Sequence, residues 1–390
     1  MPLPLSSLEL LVCYALVASA SITWLAIQIA ARANLIAHPN ERSSHSVPTP
    51  QVGGIGICLA ALATLYYLPQ LFPLRETGPV PLLSVLRKTL MAVIAGGMFL
   101  GVVDDRLAIS ARTKLLGLFL IAILPLWAFH LPLEAFPQLI AKAAGGEIEW
   151  GTFGILTPSI VALVSVIWIV GFSNAFNFMD GVNGQSGFFA LNALFWYGIV
   201  VVQRLNGAFF PDLLYARLGE MPPAFTQETL YFFAILAGAI LGFLPFNFPK
   251  ARTFMGDAGS LPLGASLAVI TLYLSQGNIT QLIGFCLPLS MYIYDVGYTL
   301  VRRSRRGENL VTAHRERLYQ RLLIATGWSH ARLLVFHLPF YLITGASTLV
   351  FFYDTRWDNR FFALMITFVA LMVYNLLVLR AEKIRAAVQA

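Results

Sequence analysis

Long apolar segments alternate with short polar clusters along most of the chain. A transmembrane helix needs roughly 20 predominantly apolar residues to cross about 30 Å of hydrocarbon. The least regular segment of this kind, 258–275, contains glycine and proline. The pattern predicts an all-α, polytopic membrane bundle in a single domain, 1–390, with about eleven helices near 8–31, 52–72, 86–103, 114–130, 155–173, 185–203, 229–248, 258–275, 281–300, 331–353 and 360–379.

The composition points to the same class of protein. Hydrophobic residues make up 58% of the chain and charged residues 12%, and the mean hydropathy is +0.73. A soluble globular chain has about 25% charged residues. The chain therefore lacks the polar surface that a water-facing fold requires, and the composition excludes a soluble globular protein.

The basic residues are distributed unevenly. When each Lys and Arg is assigned to the loop it borders, most of the 26 fall on one side of the predicted bundle. Cytoplasmic loops are enriched in Lys and Arg, which predicts a cytoplasmic C-terminus and an N-terminus outside. This asymmetry accounts for the net charge of +7 without a nucleic-acid partner. The candidate chemistry then lies in the polar clusters of five cytoplasmic loops, 32–51, 104–114, 174–184, 249–257 and 301–330.

Three aspartates mark the ends of apolar segments on this side. Asp104 and Asp105 are adjacent, and neighbours on a helix point about 100° apart. We therefore expect the two carboxylates to have different roles, with a solvated helix end as the alternative. Asp257 begins the eighth segment, where an aspartate is an ordinary helix N-cap. It also places a carboxylate at the membrane surface, and carboxylates with waters and phosphate oxygens suit Mg²⁺.

The stretch "NAFNFMDGVNG" carries a polar residue at every third position. On a helix, steps of three residues keep successive side chains on one slowly drifting stripe. The glycines that follow the aspartate permit a turn. The pattern predicts a ligand surface, with a satisfied polar loop as the alternative, formed by Asn174, Asn177, Asp180 and Asn183.

The loop after residue 301 is strongly basic. Arginine binds phosphate bidentately and histidine can hydrogen-bond phosphate or sugar oxygens, so "HRERLYQRL" at 314–322, which includes Arg321, favours phosphate binding. Acids suited to a divalent cation and bases suited to phosphates indicate phosphoryl transfer from a cytosolic donor to a lipid acceptor. Four other arginines are more typical of side chains facing anionic lipid: Arg302, Arg303, Arg305 and Arg306.

In chain order, these clusters resemble the motifs of the polyprenyl-phosphate N-acetylhexosamine-1-phosphate transferase family, of the MraY and WecA type. The ending "YQRL" is most similar to the WbpL-like members that initiate bacterial O-antigen synthesis. The motifs span 41–322: "ERSSHSVPTPQVGGIG", "DDR" with Lys114 nine residues after Asp105, "NAFNFMDGVNG", "GDAGS" and "HRERLYQRL".

The resemblance implies a fold and a reaction. The family fold is a membrane bundle of ten or eleven helices with a cytoplasmic active site, which in bacteria lies in the inner membrane. The implied reaction converts a UDP-N-acetylhexosamine and polyprenyl (undecaprenyl) phosphate to polyprenyl-diphospho-N-acetylhexosamine and UMP. Mg²⁺ is the expected cofactor, with Mn²⁺ as its substitute. The product would start an O-antigen or a similar surface polysaccharide, and members of the family often form homodimers.

The resemblance also assigns roles to residues. Asp257 matches a metal-ligand aspartate, Asn177 a second group near the metal and diphosphate, and Lys114 a diphosphate-binding lysine. Asn183 stands where bacterial members often have Asp and is expected to hydrogen-bond the nucleotide. The matching catalytic set is Asp104, Asp105, Asp180, Asp257 and Lys114. The expected substrate-binding set is Asn177, Asn183, His314, Arg315, Arg317, His45 and Arg42, in which Arg317 stands where a second histidine of the family might be expected.

Several alternatives remain open at this point. The polyprenyl phosphate, deprotonated or oriented by Asp104, could attack the sugar-linked phosphorus directly, or an aspartate of the acidic pair could first form a covalent intermediate. The sugar could be GlcNAc, FucNAc or QuiNAc. A secondary transporter is the rival from another class, and Asp295 within "MYIYDVGYTL" is the feature that favours it. Pairing of Asp295 with nearby Arg302 is the simpler interpretation.

Overall fold

A computed structural model describes residues 5–32, 48–72, 82–128, 152–205, 228–275, 279–309, 316–353 and 357–389. In this part of the chain, helices joined by short loops make up almost the whole structure. They are α1 (Leu5–Arg32), α2 (Gly53–Leu71), α3 (Leu82–Leu107), α4 (Ala111–Ala128), α5 (Thr152–Met179), α6 (Gln185–Leu205), α7 (Thr229–Asn247), α8 (Asp257–Ser275), α9 (Ile279–Cys286), α10 (Ser290–Arg305), α11 (Leu318–Thr326), α12 (His330–Tyr353) and α13 (Trp357–Gln389).

The predicted membrane bundle is confirmed. Ten helical segments of the described residues are long and apolar enough to cross a membrane, and α9 and α10, joined by a 3₁₀ turn, form one of them. The remaining predicted segment, 114–130, is the fourth along the chain and overlaps α4, whose described residues are not among the ten. The predicted orientation of the termini stays a prediction.

The central helix is α8, which arises from the least regular apolar segment. In the most apolar 18-residue stretch of α8, 94% of the residues are buried, whereas 22% are buried in the corresponding stretch of α1. It packs against α2, α3, α5 and α6. Small residues allow helices in a membrane to approach closely, and Gly101 of α3 lies directly against the backbone of Asp257. The irregular composition of α8 therefore reflects its central position.

The start of α2 is fastened to the loop that precedes α8. The backbone N–H groups of Gly53 and Gly54 donate to the carbonyls of Phe254 and Met255 at 3.0 and 2.9 Å, and Phe254 N–H donates to the Pro50 carbonyl at 2.9 Å. These bonds place the segment "PTPQVGG" against "TFMGD".

A short helix, α11, lies between the long helices of the C-terminal part. It packs against α10 and α13, and α12 packs against α13 and α6. Gly327 ends α11 in the left-handed conformation, with φ +67°, and donates its N–H to the Leu323 carbonyl. Glycine adopts this conformation without the strain that a Cβ would cause. The helix thus ends abruptly before α12 begins.

Candidate active site

Lys114 lies at the centre of a cluster built from four helices. Its ammonium is 2.8 Å from Asp104 Oδ2 and donates to Asn177 Oδ1 at 3.0 Å and to the carboxylate of Asp257. The side chains come from α4, α3, α5 and α8 respectively. The hydroxyl of Ser110 accepts a backbone N–H in the first turn of α4, which fixes the start of the helix that carries Lys114.

The amide of Asn177 connects this lysine to the start of α8. Its Nδ2 donates to Asp257 Oδ1 at 2.7 Å and to Ser260 Oγ at 2.8 Å, while its Oδ1 accepts from Lys114. Both ends of the amide therefore have partners of the correct polarity. Asn177 holds Asp257 and Lys114 in a fixed relation.

Asp105 caps α8 from a different helix. Its two carboxylate oxygens accept the backbone N–H groups of Asp257 and Ala258, both at 3.1 Å. Gly256 has φ +67°, and a Cβ there would meet the Asp105 carboxylate. The expectation that the adjacent aspartates differ is confirmed, because Asp104 faces Lys114 and Asp105 faces α8. The interpretation of Asp257 as an ordinary N-cap is wrong, since Asp105 supplies the cap and the Asp257 side chain faces the cluster.

Asp180 follows the last residue of α5 and begins the loop to α6. Burial raises the pKa of Asp180 to about 7, and the negative charge of Asp257 adds to the rise, while Ser186 and Arg317 oppose it. The sequence places Asp180 in the expected catalytic set. The structure places it within the electrostatic range of Asp257, and its catalytic role stays a prediction.

Tyr319 and Arg317 pack against the same loop. The Tyr319 hydroxyl lies where a side chain on Gly181 would be, so a Cβ at Gly181 would overlap it. Arg317 donates to that hydroxyl at 3.3 Å, and its guanidinium carbon is 5.3 Å from the centroid of the Phe178 ring. The predicted substrate-binding Arg317 is thus brought beside the Asp180 loop, although the two are far apart in sequence.

Asn183 links two loops. Its Nδ2 donates to the Pro249 carbonyl at 3.2 Å, and its backbone N–H donates to His330 Nδ1 at 3.3 Å. The next residue, Gly184, donates its N–H to Asn247 Oδ1 at 2.6 Å. The evenly spaced polar residues therefore divide between the lysine cluster and a loop junction. Contact between Asn183 and a nucleotide stays a prediction.

Asp295 has a structural role that the sequence did not suggest. It is fully buried in α10, and its carboxylate accepts the backbone N–H groups of Leu318 at 2.9 Å and Tyr319 at 3.4 Å. It therefore caps α11 as Asp105 caps α8. The predicted pairing with Arg302 is wrong, because Arg302 lies 3.9 Å from Glu316. The feature that favoured a transporter is explained by the cap.

Three other arginines of this region pair with acids: Arg303, Arg306 and Arg321. Arg321, expected among the phosphate binders, donates to both oxygens of Glu382 at 2.7 and 2.5 Å. Arg303 and Arg306 lie 3.4 and 2.8 Å from Glu308. Their neighbour Arg305 is exposed. Anionic lipid is therefore not needed to explain Arg303 or Arg306.

All four residues of the lysine cluster lie in a part of the sequence that matches a known family. Residues 88–275 match the family model described as Glycosyl transferase family 4. This part of the chain is thus similar to glycosyl transferase family 4. The resemblance found in the motifs is confirmed.

Curated proteins similar to this chain align with most of its length, well beyond the family 4 segment at 88–275. A decaprenyl-phosphate N-acetylglucosaminephosphotransferase of Mycobacterium tuberculosis is 29% identical over 83% of this chain and 78% of its own. A probable undecaprenyl-phosphate N-acetylglucosaminyl 1-phosphate transferase of Bacillus subtilis is 26% identical over 79% and 75%. A phospho-N-acetylmuramoyl-pentapeptide-transferase of Streptococcus pyogenes is 29% identical over 67% and 70%.

The family 4 segment offers oxygen donors that suit Mg²⁺. Within the part of the chain that the structure describes, no group of three or more His, Cys, Asp or Glu side chains could hold a metal ion. Mg²⁺, however, commonly binds one or two carboxylates and completes its shell with waters and substrate phosphates. The Asp257 carboxylate fits that description, and the amide oxygen of Asn177, which hydrogen-bonds Asp257 through its Nδ2, is a further oxygen donor beside it. Four other predicted residues lie outside the described ranges and stay predictions: Arg42, His45, His314 and Arg315.

Proposed function

We propose that this chain transfers an N-acetylhexosamine 1-phosphate from a UDP-sugar to polyprenyl phosphate. An oxygen of the polyprenyl phosphate bonds to the sugar-linked phosphorus of the donor. The bond from that phosphorus to the bridging oxygen breaks, and UMP leaves with the bridging oxygen. The product is polyprenyl-diphospho-N-acetylhexosamine. The names of the three relatives, all phosphotransferases that act on sugar phosphates or lipid phosphates, support this reaction class.

The convergence of Asp104, Asn177 and Asp257 on Lys114 carries the proposal. A donor diphosphate in this site would meet the ammonium of Lys114 and draw it away from the two carboxylates. Phosphoryl transfer depends mainly on positioning and on the neutralisation of charge. Mg²⁺, held by Asp257 and Asn177, would supply further positive charge to the diphosphate.

Asp104 is the acid best placed to act on the acceptor. Its carboxylate contacts Lys114, whereas both oxygens of Asp105 already accept N–H groups of α8. In a one-step reaction, Asp104 would accept a proton from the polyprenyl phosphate or orient it. A two-step reaction would use the Asp104 carboxylate as the nucleophile. Trapping of a phosphorylated Asp104 without acceptor lipid would establish the second route.

The cellular assignment follows from the same proposal. The active site would face the cytoplasm of a bacterium from its inner membrane, and the product would begin a surface polysaccharide such as O-antigen. The relatives named for N-acetylglucosamine support GlcNAc as the first sugar to test. A homodimer is compatible with the family and stays a prediction.

The decisive experiment is a direct assay of the purified protein. Detergent-solubilised protein is incubated with undecaprenyl phosphate, Mg²⁺ and a panel of UDP-GlcNAc, UDP-FucNAc, UDP-QuiNAc and UDP-MurNAc-pentapeptide. UMP and the lipid-linked sugar are the expected products of at least one donor, and EDTA should stop their formation. A folded sample that releases no UMP from any of these donors would refute the proposal.

A further inference from the structure

Helix α11, which carries the end of the motif "HRERLYQRL", is too short to be stable without support. It has 9 residues, and isolated helices shorter than about 12–15 residues are marginal in water. Asp295 caps its N-terminus, and Leu318, Tyr319 and Leu322 are buried beneath it. These contacts hold one end and one face of α11. The remaining end is held from α13.

Glu382 of α13 forms a two-bond clamp on α11. Both of its carboxylate oxygens accept from the guanidinium of Arg321, which is only 7% exposed. Three residues further along α13, Arg385 donates to the Ile324 carbonyl near the end of α11. A bidentate arginine–carboxylate pair fixes orientation as well as distance. The clamp therefore sets the direction of α11 relative to α13.

Helix α13 is long enough to extend beyond the membrane and contact α11. A helix of 33 residues is about 50 Å long, whereas the hydrocarbon core is about 30 Å thick. The last turns of α13 carry Arg380, Glu382, Lys383 and Arg385 and extend past the apolar part. This extension is the part that reaches α11.

The other end of this chain of contacts is the Asp180 loop. α11 begins with Leu318 next to Arg317, and Tyr319 in its first turn packs against Gly181. The Arg317 guanidinium in turn donates to the Tyr319 hydroxyl, and its positive charge opposes the rise in the pKa of Asp180. A rotation of α11 would move Arg317 and Tyr319 together relative to Asp180.

We infer that Glu382 is a positioning residue of the transferase, which sets the place of Arg317 at the donor site by clamping Arg321 of α11. The inference rests on the proposed function. It makes the C-terminal extension of α13 part of the active-site framework, although Glu382 itself contacts no substrate. Arg321 acts in the same clamp and is not a phosphate ligand.

The test compares Glu382→Ala, Glu382→Gln and Glu382→Asp, with Lys383→Gln as the control at the neighbouring exposed position. We expect kcat/KM for the UDP-sugar to fall by roughly 10- to 100-fold in Glu382→Ala, since a displacement of about 1 Å can cause such a loss. The fall should come mainly from a higher KM for the UDP-sugar, with the KM for polyprenyl phosphate unchanged. Glu382→Gln and Glu382→Asp should both be intermediate, the first because it loses the charge and the second because its carboxylate is one methylene shorter, and Lys383→Gln should be close to wild type.

Hydrogen exchange gives a second measurement that does not depend on turnover. Glu382→Ala should speed exchange in 318–326 and leave the peptides of α1–α3 unchanged. Wild-type exchange in 318–326, faster exchange throughout the bundle, or wild-type kinetics of Glu382→Ala in an active enzyme would overturn the inference. If the wild-type protein transfers no sugar phosphate at all, the proposed function fails, while the exchange data still decide whether the clamp exists.

Discussion

At the scale of single residues, the adjacent Asp104 and Asp105 have different contacts and different expected roles. Asp104 faces the ammonium of Lys114, and Asp105 accepts two backbone N–H groups of α8. A carboxylate that caps a helix contributes to folding, whereas the Asp104 carboxylate faces the lysine of the proposed active site. The two roles can therefore be separated by comparing stability with activity.

Asp105→Asn and Asp257→Asn should both lower turnover and stability, but they should differ in the specific rate of the folded protein. In Asp105→Asn an amide NH₂ group replaces one of the two acceptors, so a buried N–H of α8 loses its partner, at a cost of about 1–3 kcal/mol in the free energy of unfolding. Asp257→Asn keeps that cap and should lower the specific rate by roughly 100-fold or more, since it removes a charge from the site.

Thermal unfolding in detergent and the specific rate of the folded fraction distinguish the two cases. Both variants should have a lower Tm than the wild type, because each loses an acceptor of N–H groups, but only Asp257→Asn should lower the specific rate of the folded fraction by roughly 100-fold. Equal Tm values for Asp105→Asn and the wild type would contradict the cap. A normal specific rate in Asp257→Asn would contradict its place in the active site.

The raised pKa of Asp180 predicts a pH-dependent stability. Its pKa is about 7 in the folded protein and 3.8 ordinarily, so between these values the folded state binds more protons than the unfolded state. The contribution of Asp180 to stability should therefore fall as the pH rises from about 4 to 7 and then remain constant. Asp180→Asn removes this contribution. In EDTA, the Tm difference between Asp180→Asn and wild type should grow from pH 5 to pH 7.5; a constant difference would contradict the shift.

Local spacing predicted part of the site at this scale. The helical angle between Asp104 and Asp105 was enough to predict that they diverge, and the three-residue step brought Asn177 into the candidate site. The partner of each residue could not be predicted, because Lys114 and Asp257 are 143 residues apart in sequence. Asp295 was misread for the same reason, since the N–H groups it caps lie 23 and 24 residues away.

At the scale of helices, α2 and α8 approach so closely that only glycine fits between them. A Cβ on Gly54 would overlap the backbone of Gly259 and the Met255 carbonyl. Inserting atoms into a packed contact of this kind costs about 1–3 kcal/mol. Because Asp257 lies at the start of α8, separating the two helices would also displace its carboxylate from Lys114.

Gly54→Ala should therefore lower both the Tm and the specific rate. Gly198→Ala provides the matched control, since Gly198 lies inside α6 with no atom within 4 Å of an added Cβ. Alanine in a helix interior is more favourable than glycine by about 0.5–1 kcal/mol, so the control should be neutral or slightly stabilising. Equal effects of the two substitutions on the specific rate would argue against a close α2–α8 contact.

At the scale of the whole molecule, hydropathy predicted the helical segments well and their packing poorly. Each predicted segment overlaps an observed helix, because the requirement to cross hydrocarbon sets both the length and the composition of a helix. The central place of α8 could not be predicted, because its Gly259, Pro262 and Gly264 weaken the apolar signal while they permit close packing. α11 was not predicted as a helix, because it is short and its support comes from α10 and α13.

The predicted orientation can be tested on the two ends of α13. Cysteines are introduced singly as Asp358→Cys and Lys383→Cys, both at exposed positions, after Cys13, Cys58 and Cys286 are replaced by serine. Basic residues concentrate on the cytoplasmic side. A membrane-impermeant maleimide should therefore label Lys383→Cys in inverted membrane vesicles, and it should label Asp358→Cys in intact cells. The reverse pattern would place the active site outside.

The cap on α8 also limits how this protein can hold a phosphate. The N-terminus of a helix ordinarily attracts anions through its free N–H groups and its positive dipole end. At α8 the carboxylate of Asp105 already occupies the N–H groups of Asp257 and Ala258. The N-terminal end of α8 is thus closed to substrate, and the phosphate charge would be met there by cationic side chains such as Lys114 and by a bound Mg²⁺. Recognition of the donor at this helix end then depends on side-chain and metal charges, unlike the backbone cradle of a nucleotide-binding loop.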